Sequence, residues 1–127
     1  DLGFTLADRS ENLRRSAEVA KLMNDAGLIC IAGFLAPQDE VRQRAAQVVG
    51  PDRFLTIHLS APVEVCRERD PDGHYARADA GELANFPGVS AEYEVPGSPD
   101  LVVPTHQWTV EECVDRIIEL LESRQVI

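Results

Sequence analysis

Apolar residues in the first part of the chain follow two different spacings, and each spacing predicts a different element. Residues 9–26 carry apolar side chains three or four positions apart, which predicts a helix. Asp8 can cap this helix with Glu11 as its capping-box partner, and Gly27 can end it. Residues 28–34 form an almost continuous apolar run, which is typical of a strand buried on both faces of a parallel sheet.

The same alternation continues through the middle of the chain. Residues 38–49 again show helical spacing, and residues 54–60 predict a second strand. Pro62 suits a first helical position, so a short helix is expected to run from there to about Arg69. Helices and strands that alternate in this way are typical of α/β proteins.

The last part of the chain predicts a lid, a strand and a helix. Residues 71–100 are rich in glycine, proline and acidic residues, and they predict a mobile lid with one short helix near residues 78–84. Residues 101–103 predict a brief third strand. Thr109 can cap a final helix, with Glu112 at the capping-box position. The expected inner face of that helix consists of Val110, Cys113, Val114, Ile117, Ile118 and Leu121.

The order of these elements predicts the fold class. The order α-β-α-β-α-lid-β-α belongs to a doubly wound α/β fold, in which helices cover both faces of a parallel sheet as a three-layer α/β/α arrangement. A complete domain of this type starts with a strand and a phosphate-binding loop, so this chain is expected to lack them. Its 127 residues fit one domain.

Charge and cysteine content narrow the classes of function. A net charge of -10 argues against a nucleic-acid partner or an anionic membrane surface. The sequence contains neither a signal peptide nor an apolar run of membrane-spanning length. Cys30, Cys66 and Cys113 are far apart and form no CxxC motif, which predicts reduced thiols in a cytoplasmic protein.

Several catalytic constellations are absent from the sequence. A Walker A loop needs a glycine run and a lysine, but Lys21 is the only lysine and no glycine run precedes it. There is no G-x-S-x-G motif for a nucleophilic serine. His58, His74 and His106 do not have metal-ligand spacing with cysteines or carboxylates. The residues therefore predict no metal site and no catalytic residue.

Two stretches suggest binding of an anionic nucleotide, each with a simpler alternative. Arg9, Asn12 and Arg15 lie three apart near a helix start, where an anion is favoured, and Phe4 could stack on a base. The alternative is a solvated helix face beside a core phenylalanine. Arg67 and Arg69 could likewise contact the phosphates or the adenine of ATP, or they could simply favour a helix C-terminus electrostatically.

A third stretch places an aromatic residue in the lid. Phe86 lies between Asn85 and the turn-forming pair Pro87-Gly88. It is either a loop platform for a base or a hydrophobic plug that packs the loop.

Taken together, four stretches resemble the adenylylsulfate kinase family. They are DLGFTLADRSENLRRSAEVAKLMNDAGLICIAGFLAP, VCRERDPDGHY, AGELANFPGV and the PDLVV segment before the last helix. The resemblance covers essentially the whole chain in collinear order. It implies a P-loop nucleotide-kinase fold with a lid and an ATP-dependent phosphotransferase that acts on the 3′-hydroxyl of adenylylsulfate in sulfate assimilation. It further implies Mg-ATP as cofactor, a homodimer, and fusion to or association with ATP sulfurylase.

The resemblance also implies site residues. Phe4 and Phe86 would sandwich the adenine of adenylylsulfate. The other residues implied at the substrate are Arg9, Asn12, Arg15, Leu35, Ala36, Arg77 and Asn85. The residues implied near ATP are Arg67, Arg69, Thr105 and Cys113. The P-loop itself lies in the segment that this chain is expected to lack, so the chain alone is expected to be inactive.

The sequence departs from the family pattern at several positions near the implied substrate. Ala36 stands where the family has serine, and Asp72, Ala76 and Asp79 replace cations of the lid. An acidic side chain beside a bound anion repels it. Two alternatives therefore stay open: a degenerate non-catalytic domain that serves dimerisation or a sulfurylase partner, and a related kinase for another nucleotide.

Overall fold

The computed structural model of the protein describes residues 1–3 and 5–127, which divide into two compact units. Unit 1 comprises the described residues of Asp1–Phe54 together with Pro71–Val95, and unit 2 comprises Leu55–Asp70 and Pro96–Ile127. The elements of unit 1 are α1 (Leu6–Asp25), α2 (Asp39–Val49), a 3₁₀ turn (Pro51–Arg53) and α4 (His74–Asp79). The elements of unit 2 are β1 (Ile57–Leu59), α3 (Val63–Arg69), β2 (Leu101–Val103) and α5 (Val110–Ser123).

Helix α1 begins one turn earlier than the sequence predicts. Thr5 is its N-cap, because the Thr5 hydroxyl accepts a hydrogen bond from the backbone N–H of Asp8 at 3.1 Å. The same hydroxyl donates to the Asp8 carboxylate at 2.7 Å, so the prediction that Asp8 caps the helix is wrong. The predicted end is confirmed, since the helix stops just before Gly27, which adopts a left-handed φ of 81°.

The core of unit 1 forms where α1 packs against α2. Ala17, Ala45 and Val49 are buried there, and half-buried apolar side chains surround them. The alanines let the two helix backbones approach closely, while the apolar area removed from water stabilises the pair. This packing fixes the orientation of the first turns of α1, on which the predicted substrate-binding arginine lies.

The strand predicted over residues 28–34 does not form. The segment is extended but makes no ladder among the described residues, and Leu28 and Ile31 are 58% and 92% exposed. A strand is defined by hydrogen bonds to a neighbouring strand, and no described segment pairs with this one. The apolar run predicts the extended conformation of the segment. Whether the segment becomes a strand depends on a pairing partner elsewhere in the chain.

Unit 2 contains a two-stranded parallel sheet in place of the expected three strands. Ile57 of β1 pairs with Leu101 of β2, and the register continues to Leu59 and Val103. The predicted third strand at 101–103 is confirmed, while the strand predicted over 54–60 is shorter than expected. Parallel strands need a long crossover between them, and here the crossover contains α3 and the whole of residues 71–95.

Helix α5 confirms its predicted start but only part of its predicted inner face. Thr109 and Glu112 form the reciprocal capping box. Val110, Val114 and Ile118 are nevertheless 75%, 45% and 41% exposed. Because β2 is a short strand in a narrow sheet, it covers only a stripe of the helix and leaves these side chains exposed.

The short lid helix is displaced from its predicted position. It spans His74–Asp79 and not residues 78–84. Gly73 and Gly81 have positive φ values of 67° and 78°, so they bracket the helix on both sides. The glycine at position 81 cannot continue a right-handed helix in that conformation, which is why the helix ends before it.

Candidate functional site

An open cavity of about 320 Å³ lies in unit 1, between the first turns of α1 and the segment that leads into α2. Its volume is at the lower end of the range for small-molecule sites. The residues that contribute polar side chains are Arg9, Ser10, Asn12 and Gln38, and those that contribute large apolar ones are Leu6, Leu13, Phe34, Leu35 and Val41. Arg9 and Asn12 on α1 form the floor of the cavity, and the apolar side chains form its walls. A floor with a cation and an amide between apolar walls suits a ligand that is both aromatic and anionic.

The structure brings Arg9 and Asn12 together as the sequence predicts. They lie three residues apart on α1, so their side chains share one face of the helix, and both line the cavity. The N-terminus of α1 adds partial positive charge at the same end. A guanidinium group at a helix N-terminus can hold a phosphate or sulfate with two parallel hydrogen bonds.

The wall opposite α1 contains two further predicted residues. Leu35 and Ala36 line the cavity together with Pro37. Ala36 has a positive φ of 29°, which is unfavourable for a residue with a side chain. Behind this wall, Arg42 donates a hydrogen bond to the Ala36 carbonyl at 2.7 Å. Sequence reasoning missed Arg42, whose only local signal was its spacing from Asp39.

Arg15 lies away from the cavity lining. It donates to Glu11 at 2.8 Å and to the carboxylate of Asp1 at 3.0 Å, and about half of its side chain is exposed. Arg14 also contacts Glu11, and these two guanidinium groups lower the pKa of Glu11 from 4.5 to about 2. The structure therefore places Arg15 in an exposed ion-pair cluster on the surface of α1.

The predicted aromatic residue of the lid packs within the lid itself and not in the cavity. Phe86 packs edge-on against Tyr75, with ring centroids 5.1 Å apart, and lies 6.3 Å from the ring of His74. Its carbonyl accepts hydrogen bonds from the backbone N–H groups of residues 89–91. Phe86 does not line the cavity, so in this arrangement it has the contacts of a plug that packs the loop.

The other two lid candidates also contact their own loop. Arg77 donates to Glu82 at 3.2 Å, and Asn85 adopts a left-handed φ of 54° that turns the chain into Phe86. Neither lines the cavity among the described residues. Phe4, the other predicted aromatic, lies outside the residues that the structure describes.

Two of the predicted ATP-side residues contact each other in unit 2. The Arg69 guanidinium donates to the Thr105 hydroxyl at 3.3 Å and to the Thr105 carbonyl at 2.7 Å. Arg69 lies in the last turn of α3, where a cation is also favoured by the helix dipole. Arg67 is half-buried two residues before Arg69, and Cys113 is half-buried on α5.

Metal-ligand clusters and membrane-spanning helices are both absent from the residues that the structure describes. Within residues 1–3 and 5–127, no group of three or more His, Cys, Asp or Glu side chains could hold a metal ion. None of the described helices is long and apolar enough to span a membrane.

Comparison with solved structures defines the class of protein. The fold matches the structure of the Mycobacterium tuberculosis APS kinase CysC in complex with AMPPNP and APS, with a TM-score of 0.90 and 38% sequence identity. The match covers 96% of this chain and 71% of that one. The crystal structure of APE1195 matches with a TM-score of 0.84 at 35% identity over 96% of this chain and 69% of that one. The chain thus has the α/β fold of a P-loop nucleotide kinase.

Comparison by sequence gives the family. The family model for adenylylsulphate kinase matches residues 1–104, and the chain belongs to that family. The adenylyl-sulfate kinase of Shewanella halifaxensis is 46% identical over 127 residues, which are 100% of this chain and 62% of that relative. The bifunctional enzyme CysN/CysC of Rhodopirellula baltica is 54% identical over the whole chain, which spans 20% of its length. The chain thus spans about three fifths of the Shewanella enzyme and a fifth of the bifunctional one.

Proposed function

We propose that the protein containing this chain is an adenylylsulfate kinase, which transfers the γ-phosphate of ATP to the 3′-hydroxyl of adenylylsulfate and forms 3′-phosphoadenylylsulfate in sulfate assimilation. The observation that carries the proposal is the cavity of unit 1, where Arg9, Asn12, Leu35 and Ala36 meet. Membership of the adenylylsulphate kinase family supports the same reaction.

The residues of the cavity have distinct roles in this proposal. The Arg9 guanidinium binds the anionic phosphosulfate group, and the Asn12 amide hydrogen-bonds a polar group of the nucleotide. Leu6, Leu13 and Phe34 provide apolar surface for the base. These contacts hold the ribose and its 3′-hydroxyl in a fixed position, and positioning is the larger part of catalysis in phosphoryl transfer.

The reaction itself forms one bond and breaks one. The 3′-oxygen bonds to the γ-phosphorus of ATP, the bond from that phosphorus to the β,γ-bridging oxygen breaks, and ADP leaves. The hydroxyl proton passes to solvent.

Unit 2 supplies the proposed ATP contacts. The Arg69–Thr105 pair joins the end of α3 to the loop before α5, and it presents a cation there. Arg67 and Cys113 are the further candidates of this unit. ATP is abundant in the cytoplasm, so the proposal places the enzyme in that compartment.

The proposed partners follow from the relatives. The matching enzyme of Rhodopirellula baltica is named as bifunctional, which supports fusion to or association with ATP sulfurylase for this protein as well. Such a partner would make the adenylylsulfate that the kinase consumes. A homodimer is proposed on the family resemblance alone.

The test is product formation by the whole natural protein, with ATP and adenylylsulfate as substrates. We expect phosphorylation of adenylylsulfate, and we expect Arg9→Gln to raise its KM at least tenfold with little change in the KM for ATP. Arg14→Gln is the matched control, since Arg14 lies on the same helix but pairs with Glu11 outside the cavity. A folded wild-type protein that forms no 3′-phosphoadenylylsulfate would refute the proposal.

The charge of the lid favours a second candidate, a kinase for a nucleotide that lacks the sulfate. Asp72 and Asp79 lie in the lid, and its Arg77 is already paired with Glu82. An acidic lid repels the sulfate of adenylylsulfate, and a nucleotide without that sulfate avoids the repulsion. Turnover of AMP with a higher kcat/KM than adenylylsulfate would favour this candidate.

A further inference from the structure

Arg42 is the most enclosed of the arginines whose ion pairs the structure shows, and its guanidinium joins two distant stretches of unit 1. Its side chain is 12% exposed. One terminal nitrogen donates to the Ala36 carbonyl at 2.7 Å, and the other donates to the Glu94 carbonyl at 2.7 Å. The second nitrogen also contacts the Asp39 carboxylate at 3.0 Å. The two carbonyls belong to residues 58 positions apart in the chain. Arg42 therefore links two segments that are distant in sequence.

Glu94 completes the same bridge from the opposite side. Its carboxylate accepts a hydrogen bond from the backbone N–H of Asp39 at 2.7 Å, and its own N–H donates to the Pro37 carbonyl at 2.9 Å. The ring of Tyr93 lies 5.9 Å from the Arg42 guanidinium carbon. Residues 93–94, at the end of the lid, are therefore fastened to the start of α2.

The bridge holds the one wall of the cavity whose backbone is strained. Ala36 and Pro37 line the cavity, and Ala36 adopts its φ of 29° only because its surroundings impose it. Arg42 itself does not line the cavity. Its buried Nε makes no hydrogen bond within the described part of the chain.

We propose that Arg42 is a positioning residue for the nucleotide substrate, an inference that rests on the proposed function. Through the Ala36 carbonyl, Arg42 fixes the shape of the cavity wall, and through the Glu94 carbonyl it ties that shape to the docking of residues 71–95. Lysine keeps the charge but lacks the planar fork that reaches both carbonyls. In Arg42→Lys we therefore expect the cavity wall and the lid to move independently of each other.

The experiment compares Arg42→Lys and Arg42→Met with wild type in the whole natural protein. We expect the KM for adenylylsulfate to rise about tenfold in Arg42→Lys, with the KM for ATP within twofold of wild type. A residue that only stabilised the fold would lower the active fraction and hence the apparent kcat, and would leave KM unchanged. Arg44→Lys is the matched control, because Arg44 lies two residues further along α2 and pairs with the exposed Glu40.

A second measurement reports the bridge without activity. Chymotrypsin cleavage after Tyr93 is expected to be about tenfold faster in Arg42→Lys than in wild type or Arg44→Lys, since the end of the lid is released. If Arg42→Met does not fold, Arg42→Lys alone decides. A folded Arg42→Lys protein with an unchanged adenylylsulfate KM overturns the inference while the proposed function stands. A wild-type protein that does not phosphorylate adenylylsulfate refutes the proposed function and removes the substrate role of Arg42, whatever the cleavage rates.

Discussion

The floor of the cavity and the lid both carry residues that the family resemblance implies at the substrate. In the structure, the floor residues line the cavity and the lid residues do not. Arg9 and Asn12 lie together on one helix face and line the cavity. Phe86 and Arg77 of the lid instead contact their own loop, through Tyr75 and Glu82. The difference teaches that helix geometry alone can bring two neighbouring side chains such as Arg9 and Asn12 together, whereas the directions of loop side chains depend on long-range contacts.

The largest expected effect contrasts one arginine from each region. Arg9→Gln should raise the KM for adenylylsulfate by about 10- to 100-fold, since a charge-assisted hydrogen bond contributes about 1.5–3 kcal/mol. Arg77→Gln should raise it less than threefold, because Arg77 is about half exposed and paired with Glu82. Steady-state kinetics with varied adenylylsulfate measure both values, and equal effects would remove the contrast between floor and lid.

The next effect tests Phe86 as a plug of the lid. Phe86→Ala should lower the free energy of unfolding by roughly 1.5–2.5 kcal/mol, which is half the cost of truncating a fully buried phenylalanine, because Phe86 is half-buried against Tyr75. Urea denaturation measures this loss, with Phe86→Leu as the variant that keeps most of the apolar contact. A weaker affinity for adenylylsulfate with unchanged stability would identify Phe86 as a base platform.

A smaller effect of opposite sign is expected in the cavity wall. Ala36→Gly should stabilise the protein by about 0.5 kcal/mol, since relief of the left-handed conformation outweighs the extra freedom of glycine in the unfolded chain. Thermal unfolding checks the gain. Ala46→Gly is the comparison, because that substitution lies within helix α2 and should destabilise the protein. A loss of stability at position 36 would mean that its backbone is not strained.

The smallest effect concerns pH and the exposed ion pairs of α1. Hydrogen bonds from Arg14 and Arg15 lower the pKa of Glu11 from 4.5 to about 2, so the ionised form is favoured in the folded state. Its contribution is fully present above about pH 4.5 and is lost as the pH falls toward 2. Glu11→Gln should flatten the stability profile in that window by a small amount, which salt reduces further. Urea midpoints measured across the window would show it, and identical profiles for the two proteins would contradict it.

The sequence predicts some local features correctly, although the Asp8 cap and the position of the lid helix were wrong, and it predicts long-range features poorly. The capping box of Thr109 and Glu112 was predictable because both partners lie within one helical turn. The pair Arg9 and Asn12 was predictable for the same reason. The strand at 28–34 was not, since its pairing requires a partner elsewhere, and Arg42 was missed because Glu94 lies 52 positions away.

The two-stranded sheet also has a consequence for the order in which the chain folds. Thr56 donates to the Asp100 carboxylate beside the β1–β2 pair, across 44 positions of sequence. Contacts of such separation form slowly, because the intervening chain must first be drawn into a closed loop. During synthesis β1 leaves the ribosome long before β2. It stays unpaired until residues 101–103 have been made. Helices α1 and α2, by contrast, can pack as soon as Val49 leaves the ribosome, so the cavity floor is expected to be in place before the parallel sheet closes.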